Sequence, residues 1–380
     1  MARWLCSGFS SQLRVDLGSV RANYRALAAQ VSPAQCGAVV KADGYGLGAR
    51  KVAPALHREG CRIFFVAQLC EAFDVLDTVG VGSTIFILNG LDPQSEEICA
   101  TWGFVPVLNA HCQVDRWRAL SRAQGKLLPA ALQMDSGMSR LGLDFETIDA
   151  LAHDPDFRRE VSVRLLMTHL ACADDPSHEA NGAQLGRFLA ARSLFAEAPA
   201  SIANSGGMFL SSDFHCDVVR PGIALFGGQT GAGAEQLRPV VALDARILQI
   251  REIADGAGVG YGLDYVARGP RRLATIGMGY GDGWPRNLGG IGAAWSGGCR
   301  LPIVGRISMD SMVIDISDLP ENALNEGDFV EFLGPSQSLK DVARDAGTIG
   351  YEILTRLGRR HRRVYVEGDI TEIVAPGAVL

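Results

Sequence analysis

The sequence contains no Cys-x-x-Cys pair, no long apolar run and no excess of basic residues. Its nine cysteines are scattered singly, so neither a disulfide framework nor a metal site is predicted. No stretch approaches the roughly 18–20 apolar residues of a membrane helix, and the opening MARWLCSGFSSQ lacks the apolar core of a secretory signal. A net charge of −6 argues against nucleic acid as a partner. We therefore expect a cytoplasmic protein that binds neither membranes nor nucleic acid.

The chain has enough length, 380 residues, and enough apolar content, 47 %, for two domains with real cores. In its first part, short apolar runs alternate with helix-like segments. Eight such units predict parallel strands with crossover helices, and eight strands close a (β/α)8 barrel, with a doubly wound open sheet as the alternative. The apolar runs are CGAVV (36–40), RIFFVA (62–67), TIFILN (84–89), FVPVL (104–108), PAALQM (129–134), VRLLMT (163–168), PASIA (199–203) and CDVVR (216–220).

The pattern of apolar and polar residues changes after about residue 237. Short β-like runs such as LPIVGRI and DFVEFLG follow one another, separated by Gly, Pro and Asp. The predicted fold class is therefore α/β: a TIM-like (β/α)8 barrel over residues 10–236, followed by a mostly β domain over residues 237–380. We expect residues 1–9 to pack with the second domain.

Polar side chains follow several of the predicted barrel strands at their C-terminal ends. One lysine in a loop is usually just solvated, and one histidine is often structural. In a barrel, however, active sites are built at this rim, and five strands supplying polar groups to one face predict such a site. The residues concerned are Lys41, Asp135, Arg140, His169, Asn204, Ser205 and Arg220.

Two glycine-rich segments predict where a phosphate would bind. NSGG (204–207) and RPGIALFGG (220–228) offer backbone N–H groups beside Ser205. Barrels often bind phosphate at the loops after strands seven and eight. A reactive amine across the barrel mouth from a phosphate site points to pyridoxal phosphate, with Lys41 forming an imine.

Over nearly its whole length the chain resembles the alanine racemases, which are barrel-type, pyridoxal-phosphate-dependent amino-acid racemases. The motifs of the second domain exclude the single-domain cofactor carriers of related fold. In chain order, the matching motifs are VVKADGYGLGA, MDSGMSRLG, THLACAD, ANSGG, RPGIALFG, GVGYGLDY, GMGYGDGWPR, PIVGRISMD and TIGYEIL.

The resemblance implies a homodimer with shared active sites. Lys41 would hold the cofactor and act as one base, and Tyr261, supplied by the partner subunit's β domain, would be the second catalytic base. The implied substrate-binding residues are Arg140, Tyr280, Met309 and Asp310. The implied cofactor-binding residues are Lys41, Tyr45, Arg140, His169, Asn204, Ser205, Arg220, Gly222, Ile223 and Tyr351.

The implied chemistry explains these residue types. Racemisation removes the α-proton on one face and returns a proton on the other, so two bases must flank the α-carbon. The ordinary pKa values of lysine and tyrosine, about 10.4 and 10, are too high for bases at neutral pH unless cationic neighbours lower them. An arginine at the pyridine nitrogen, here Arg220, leaves that nitrogen unprotonated. This favours a racemase over an aminotransferase.

The sequence departs from the family pattern at three positions. Gln133 stands where many members carry a carbamylated lysine, and we expect its amide oxygen, or a bound chloride, to orient Arg140. Leu47 and Gly260 replace a common histidine and a common serine.

The predicted function is the interconversion of L- and D-alanine, supplying D-alanine. A serine or broad-specificity amino-acid racemase is the alternative, because discrimination between methyl and hydroxymethyl groups amounts to only a few kcal/mol. A barrel-type decarboxylase is expected to carry a carboxylate where this chain has Arg220. A non-catalytic pyridoxal-phosphate carrier would need neither Tyr261 nor the second domain.

Overall fold

The computed structural model describes residues 8–80, 82–228, 230–231, 233–368 and 370–374. The chain divides into two compact units. One unit is Val20–Arg238, and the other joins the described residues up to Ser19 with those from Pro239 onward. Of residues 1–9, which the sequence analysis expects to pack with the second domain, residues 1–7 lie outside the described residues.

Parallel strands form the centre of the Val20–Arg238 unit. Strand β1 (Ser11–Asp16), which belongs to the other unit, and helix α1 (Leu17–Val31) come before them. Strands β3 to β9 form a seven-stranded parallel sheet in chain order, and β10 pairs in parallel with β2. The strands are β2 (Gln35–Cys36), β3 (Ala38–Val39), β4 (Ile63–Val66), β5 (Thr84–Ile87), β6 (Val105–Leu108), β7 (Leu128–Gln133), β8 (Val161–Met167), β9 (Ala200–Ser201) and β10 (Val218–Val219).

Backbone hydrogen bonds at β10 close this sheet into a barrel. On one side, the Arg220 N–H donates to the Ala203 carbonyl at 2.9 Å. On the other side, the Gly37 N–H, between β2 and β3, donates to the Val219 carbonyl at 3.0 Å. Because β2 and β3 occupy one strand position, eight positions complete the ring. The predicted (β/α)8 barrel is confirmed.

Helices follow the barrel strands, and the longer ones bury an apolar stripe. In α6, Val114 and Trp117 are three residues apart and both buried, whereas the intervening Asp115 is exposed. None of the helices in the described ranges is both long and apolar enough to cross a membrane. The helices are α2 (Lys41–Tyr45), α3 (Ala49–Arg58), α4 (Leu69–Val79), α5 (Glu96–Thr101), α6 (His111–Gln124), α7 (Phe145–His153), α8 (Pro155–Glu160) and α9 (Ala180–Leu194), with 3-10 turns at Gly207–Phe209, Ser212–Phe214, Ile223–Phe226 and Ala234–Gln236.

A nine-stranded, mostly antiparallel sheet forms the second unit, in the order β14-β17-β16-β15-β18-β11-β1-β19-β20. This agrees with the predicted β-rich domain, although the unit also contains two short helices. Its elements are β11 (Val241–Ile253), β12 (Gly258–Val259), β13 (Tyr265–Val266), β14 (Arg271–Ile276), β15 (Ala293–Ser296), β16 (Cys299–Val304), β17 (Met312–Asp315), β18 (Phe329–Leu333), α10 (Leu339–Asp345), α11 (Gly350–Arg356), β19 (Arg362–Glu367) and β20 (Ile370–Val374), with 3-10 turns at Tyr261–Leu263, Tyr280–Asp282 and Arg286–Leu288.

Strand β1 belongs to this second unit, which corrects the predicted start of the barrel domain at residue 10. It pairs antiparallel with β11 and parallel with β19. Leu13 and Val15 alternate along it and are fully buried. Alternation predicts a strand but does not identify its partners, and here the partners lie in the last third of the chain.

Candidate active site

Lys41 lies just after strand β3 and begins the short element α2, which is a left-handed turn and not a regular helix. The next three residues, Ala42, Asp43 and Gly44, have φ values of 52°, 54° and 62°, and Tyr45 follows with 58°. Only glycine adopts this conformation freely, and other residues lose about 1–2 kcal/mol each in a left-handed helical turn. A strained backbone directly after a polar residue is typical of functional sites, where the surrounding structure over-determines it.

This turn returns the chain to the barrel, so that Tyr45 lies against the segment after β10. The Tyr45 ring is buried, with its centroid 5.1 Å from that of Phe226. A Cβ atom added at Gly222 would lie 2.0 Å from the Tyr45 hydroxyl oxygen. Gly222 is therefore required for space, and one added methyl group would displace the tyrosine.

Ser205 completes a small polar cradle with these residues. Its Oγ accepts hydrogen bonds from the backbone N–H groups of Gly222 at 2.8 Å and Ala224 at 3.3 Å. Asn204 instead stabilises its own loop, since its Oδ1 accepts the Gly207 N–H at 2.9 Å. Hydroxyl and backbone N–H groups are the usual phosphate ligands of such loops.

Arg220 is 3 % exposed and lies at the end of β10. Its Nη1 donates to Ser201 Oγ at 2.5 Å, and its Nη2 donates to the Thr168 carbonyl at 2.6 Å. Burial lowers the pKa of Arg220 to about 10, so the group remains protonated at neutral pH. No carboxylate pairs with it anywhere in the described ranges, and a buried cation without a counter-charge is costly. The site therefore suits a ligand that brings an acceptor to this guanidinium.

His169 lies beside Arg220, with its Nδ1 3.4 Å from Arg220 Nη2. Burial, and then the charges of Arg220, Arg140 and Lys41, lower the pKa of His169 to about 3. The imidazole is therefore neutral at physiological pH. Gln184 Nε2 donates to the His169 carbonyl at 2.9 Å and fixes its backbone.

The Lys41 amine loses proton affinity in this environment. Burial lowers the pKa of Lys41, Arg140 lowers it further, Glu71 opposes these effects, and Arg220 adds to the lowering. The lysine is therefore neutral more often than a solvated lysine, as a nucleophile or a base requires.

Arg140 is exposed within the loop between β7 and α7. Asp135 Oδ1 accepts three successive N–H groups of that loop, those of Gly137, Met138 and Ser139. Among the contacts of the described residues there is no hydrogen bond between Gln133 and Arg140, contrary to the sequence expectation.

The Gln133 side chain reaches a different part of the same loop. Its Nε2 donates to the Leu141 carbonyl at 3.0 Å. Because Leu141 is adjacent to Arg140, Gln133 stabilises the backbone that carries the arginine, not its guanidinium. Whether a chloride orients that guanidinium stays a prediction.

Residues predicted to contact substrate come together on the second unit. The Gly281 N–H donates to the Met309 carbonyl at 2.8 Å, which joins the turn after Tyr280 to the loop of Met309. Asp310 lies next in that loop and accepts from Arg360 Nη1 at 2.7 Å. The side chains of Tyr280 and Met309 are 41 % and 54 % exposed.

Tyr261 projects from the same unit. It begins the turn Tyr261–Leu263 and is 70 % exposed. A Cβ atom at the preceding Gly260 would lie 3.8 Å from the Arg306 backbone, so the Tyr261 turn neighbours the strand end that leads towards Met309. Tyr351, by contrast, lies on helix α11.

Sequence reasoning missed four residues that support the site: Ser201, Thr168, Gln184 and Glu71. Ser201 ends strand β9, Thr168 follows strand β8, and Gln184 is 1 % exposed on helix α9. The sequence does contain a signal for such residues, namely a polar side chain at a position that the apolar pattern assigns to the core. A buried polar side chain needs a hydrogen-bond partner, so it marks a residue that holds another group in place.

Comparison with known families agrees with this geometry. Residues 15–230 match the family model described as alanine racemase, N-terminal domain, and residues 240–365 match alanine racemase, C-terminal domain. The chain belongs to the alanine racemase family. The family resemblance inferred from the motifs is therefore confirmed.

Relatives in this family match nearly the whole chain. A protein of Mesorhizobium japonicum named "Alanine racemase, catabolic" is 51 % identical over 94 % of this chain and 93 % of its own. A protein of Agrobacterium fabrum with the same name is 48 % identical over 98 % and 96 %. An alanine racemase of Brucella canis is 46 % identical over 93 % of each chain.

Solved structures of the family have the same fold. The alanine racemase of Bartonella henselae, described with covalently bound pyridoxal phosphate, has a TM-score of 0.91 at 43 % identity and covers 94 % of this chain and 100 % of its own. The biosynthetic alanine racemase of Pseudomonas aeruginosa has a TM-score of 0.86 at 35 % identity, covering 95 % and 100 %.

Proposed function

We propose that the protein is a pyridoxal-phosphate-dependent racemase that interconverts L- and D-alanine and supplies D-alanine. The observation that carries the proposal is that the barrel holds two unusual basic groups. The amine of Lys41 has a lowered pKa, and the buried guanidinium of Arg220 has no carboxylate partner within the described ranges. Family membership and the names of the relatives support it.

The barrel residues fit this cofactor. Lys41 would hold it covalently. Ser205 Oγ, the Tyr45 hydroxyl and the backbone N–H groups of Gly222 and Ile223 would hold its phosphate, with Asn204 shaping the loop. Tyr351, which belongs to the β-rich unit, would add a further hydroxyl. When bound, the cofactor withdraws electrons from the α-carbon of the amino acid and so makes its proton removable.

Arg220 would donate a hydrogen bond to the pyridine nitrogen of the cofactor. Its pKa of about 10 keeps it charged at neutral pH, so it cannot give that nitrogen a full proton. The fixed contacts with Ser201 and Thr168 hold the guanidinium in place. His169, neutral beside it, adds no second positive charge.

Lys41 and Tyr261 would serve as the two bases. Each would remove the α-proton from one face of the amino acid and return a proton on that face in the reverse reaction. The lowered pKa of Lys41 suits this role, because a base is most effective when its pKa lies near the working pH. Arg140 and the Met309 backbone would hold the substrate carboxylate, and Tyr280 and Asp310 would line the entrance.

The active enzyme would be a homodimer in which each Tyr261 serves the partner's Lys41. The exposed side chains on the second unit support this proposal. The side chains of Leu263, Val266 and Met309 are 60 %, 53 % and 54 % exposed, and that of Tyr261 is 70 % exposed. Exposed apolar side chains on one domain are a common feature of protein–protein contacts.

The direct test is a substrate panel with the purified, cofactor-loaded protein. We expect D-alanine from L-alanine and L-alanine from D-alanine, with the Lys41→Ala variant inactive in both directions. Faster conversion of serine than of alanine would overturn alanine as the main substrate. Growth of a D-alanine auxotroph carrying the gene would test the supply of D-alanine, since relatives bear both the names "catabolic" and "biosynthetic".

A further inference from the structure

We propose that Glu71 is a positioning residue for Lys41, holding the left-handed turn after the lysine and setting the charge beside its amine. The proposal rests on the function proposed above, in which Lys41 is a base. It concerns a residue on helix α4, which follows the next strand along the chain.

The Glu71 carboxylate accepts hydrogen bonds from backbone donors in two places. Its Oε1 accepts the N–H of Ala42, the residue next to Lys41, at 2.7 Å. Its Oε2 accepts the N–H groups of Ala67 at 2.6 Å and Gln68 at 3.1 Å, where β4 passes into α4. One side chain therefore ties the turn after the lysine to the neighbouring strand end.

The turn needs such a tie because it is strained. Four consecutive residues, Ala42 to Tyr45, are left-handed, and three of them are not glycine. The bonds within the turn, such as the Gly44 N–H to the Val40 carbonyl at 2.8 Å, are local. The bond to Glu71 comes from another element of the barrel and so fixes the direction in which the chain leaves Lys41.

A carboxylate meets this requirement and an amide does not. Glutamine has a single acceptor oxygen, so its NH2 group would face either Ala42 or the pair Ala67 and Gln68. Either orientation leaves a backbone N–H opposite another donor. Glu71→Gln therefore loses the negative charge and half of the acceptor capacity, while keeping the size of the side chain.

The charge of Glu71 also acts on the lysine. Within the part of the chain that the structure describes, the charged and titratable groups that interact with Lys41 are Arg140, Arg220, His169 and Glu71. Burial, Arg140 and Arg220 lower the pKa of Lys41, whereas Glu71 raises it. A racemase lysine must accept a proton in one direction and donate one in the other, so the carboxylate keeps its proton affinity from falling too far.

The test measures Lys41 directly as well as through activity. In the full-length chain before cofactor loading, the pH dependence of Lys41 labelling by an amine-reactive reagent, read by mass spectrometry, gives its pKa. We expect Glu71→Gln to shift this midpoint down by about one unit. We also expect the loaded enzyme to show the same downward shift in its pH–rate profile, with cofactor affinity reduced about tenfold as the turn loosens.

Asp154→Asn is the matched control. Asp154 is a helix-capping carboxylate on the barrel unit, accepting the Asp156 N–H at 2.8 Å, and it does not act on Lys41. It should leave the labelling midpoint and cofactor affinity unchanged. Glu71→Asp keeps the charge and should restore most of the labelling midpoint, even if the shorter side chain lowers stability.

The outcomes separate this proposal from the proposed function. If Glu71→Gln keeps the wild-type labelling midpoint and the wild-type cofactor affinity, Glu71 serves only as a helix cap and the proposal is overturned. A labelling midpoint in Glu71→Asp as low as in Glu71→Gln would also overturn the charge effect. A shifted midpoint in a protein whose wild type does not racemise alanine would support Glu71 as a positioning residue and reject the proposed function.

Discussion

Arg220 illustrates how much of this site depends on one side chain. The group is 3 % exposed and is held by a hydroxyl and a carbonyl, those of Ser201 and Thr168. Neither neighbour can neutralise it. In the proposed function this guanidinium would lie beside the ring nitrogen of the cofactor. A group that stays charged there would limit how far negative charge moves into the ring, and so would favour return of the α-proton over side reactions.

Replacing Arg220 by glutamate reverses this effect. We expect Arg220→Glu to lower the racemisation rate by about 100-fold or more and to raise conversion of the cofactor to its amine form during incubation with alanine. The rates of alanine racemisation and pyruvate formation check this, with Arg220→Lys, which keeps the charge, as the control. Near-normal racemisation by the glutamate variant would contradict the assigned contact.

His169 gives the fold a predictable response to acid. The unfolded chain takes up a proton on this histidine below about pH 6.5, whereas the folded chain does so only at about pH 3. Acid therefore favours unfolding in this window, by at most about 1.4 kcal/mol per pH unit.

The variant His169→Gln removes this proton uptake. The wild type should lose stability relative to the variant by about 1 kcal/mol or more between pH 7 and pH 5. Guanidinium denaturation of both proteins at the two pH values measures the difference. A difference in the free energy of unfolding that does not change with pH would mean that the folded histidine protonates normally.

At the scale of elements, the loop after β10 packs closely against the turn after β3 at Gly222. We expect Gly222→Ala to weaken cofactor binding at least about tenfold, because the new Cβ would lie 2.0 Å from the Tyr45 hydroxyl oxygen. Titration with pyridoxal phosphate measures this loss. Gly182→Ala on helix α9 is the control, since nothing lies within 4 Å of its added Cβ. Equal affinity in the two variants would contradict the cradle.

The strands and their polar ends were predictable from the sequence because parallel barrel strands are continuous apolar runs that end in polar loops. The left-handed turn was not predictable. The glycines after Lys41 indicate a tight turn, but Ala42 and Asp43 rarely adopt positive φ, and the stabilising Glu71 lies 29 residues away from Ala42. Ser201 and Gln184 were missed because the apolar pattern around them predicts core positions.

At the scale of the whole molecule, the predicted site residues are divided between the two units. Lys41, Arg140 and Arg220 belong to the barrel, and Tyr261 and Met309 belong to the β-rich unit. The change in the pattern of apolar and polar residues near residue 237 made this division predictable. The membership of β1 was not, because its partners, β11 and β19, are set by long-range pairing.

The proposed sharing of each site between two subunits implies that activity can be rebuilt from two inactive variants. Lys41→Ala and Tyr261→Ala homodimers should each be inactive. After subunit exchange at equal amounts, half of the dimers are mixed, and each mixed dimer has one intact site, so about one quarter of the wild-type activity should return. Assays of the mixture and of each unmixed variant check this. No recovery, despite exchange shown by mass spectrometry, would contradict the sharing.

The central claim, that Lys41 and Tyr261 act from opposite faces, is tested most directly by racemisation in D2O. With the wild type, the product formed from either isomer of alanine should carry deuterium at the α-carbon. With Tyr261→Phe, conversion in both directions should fall by about 100-fold or more, while Lys41 still exchanges the α-proton of one isomer for deuterium without inverting it. Full racemisation in both directions by Tyr261→Phe would contradict the two-base account.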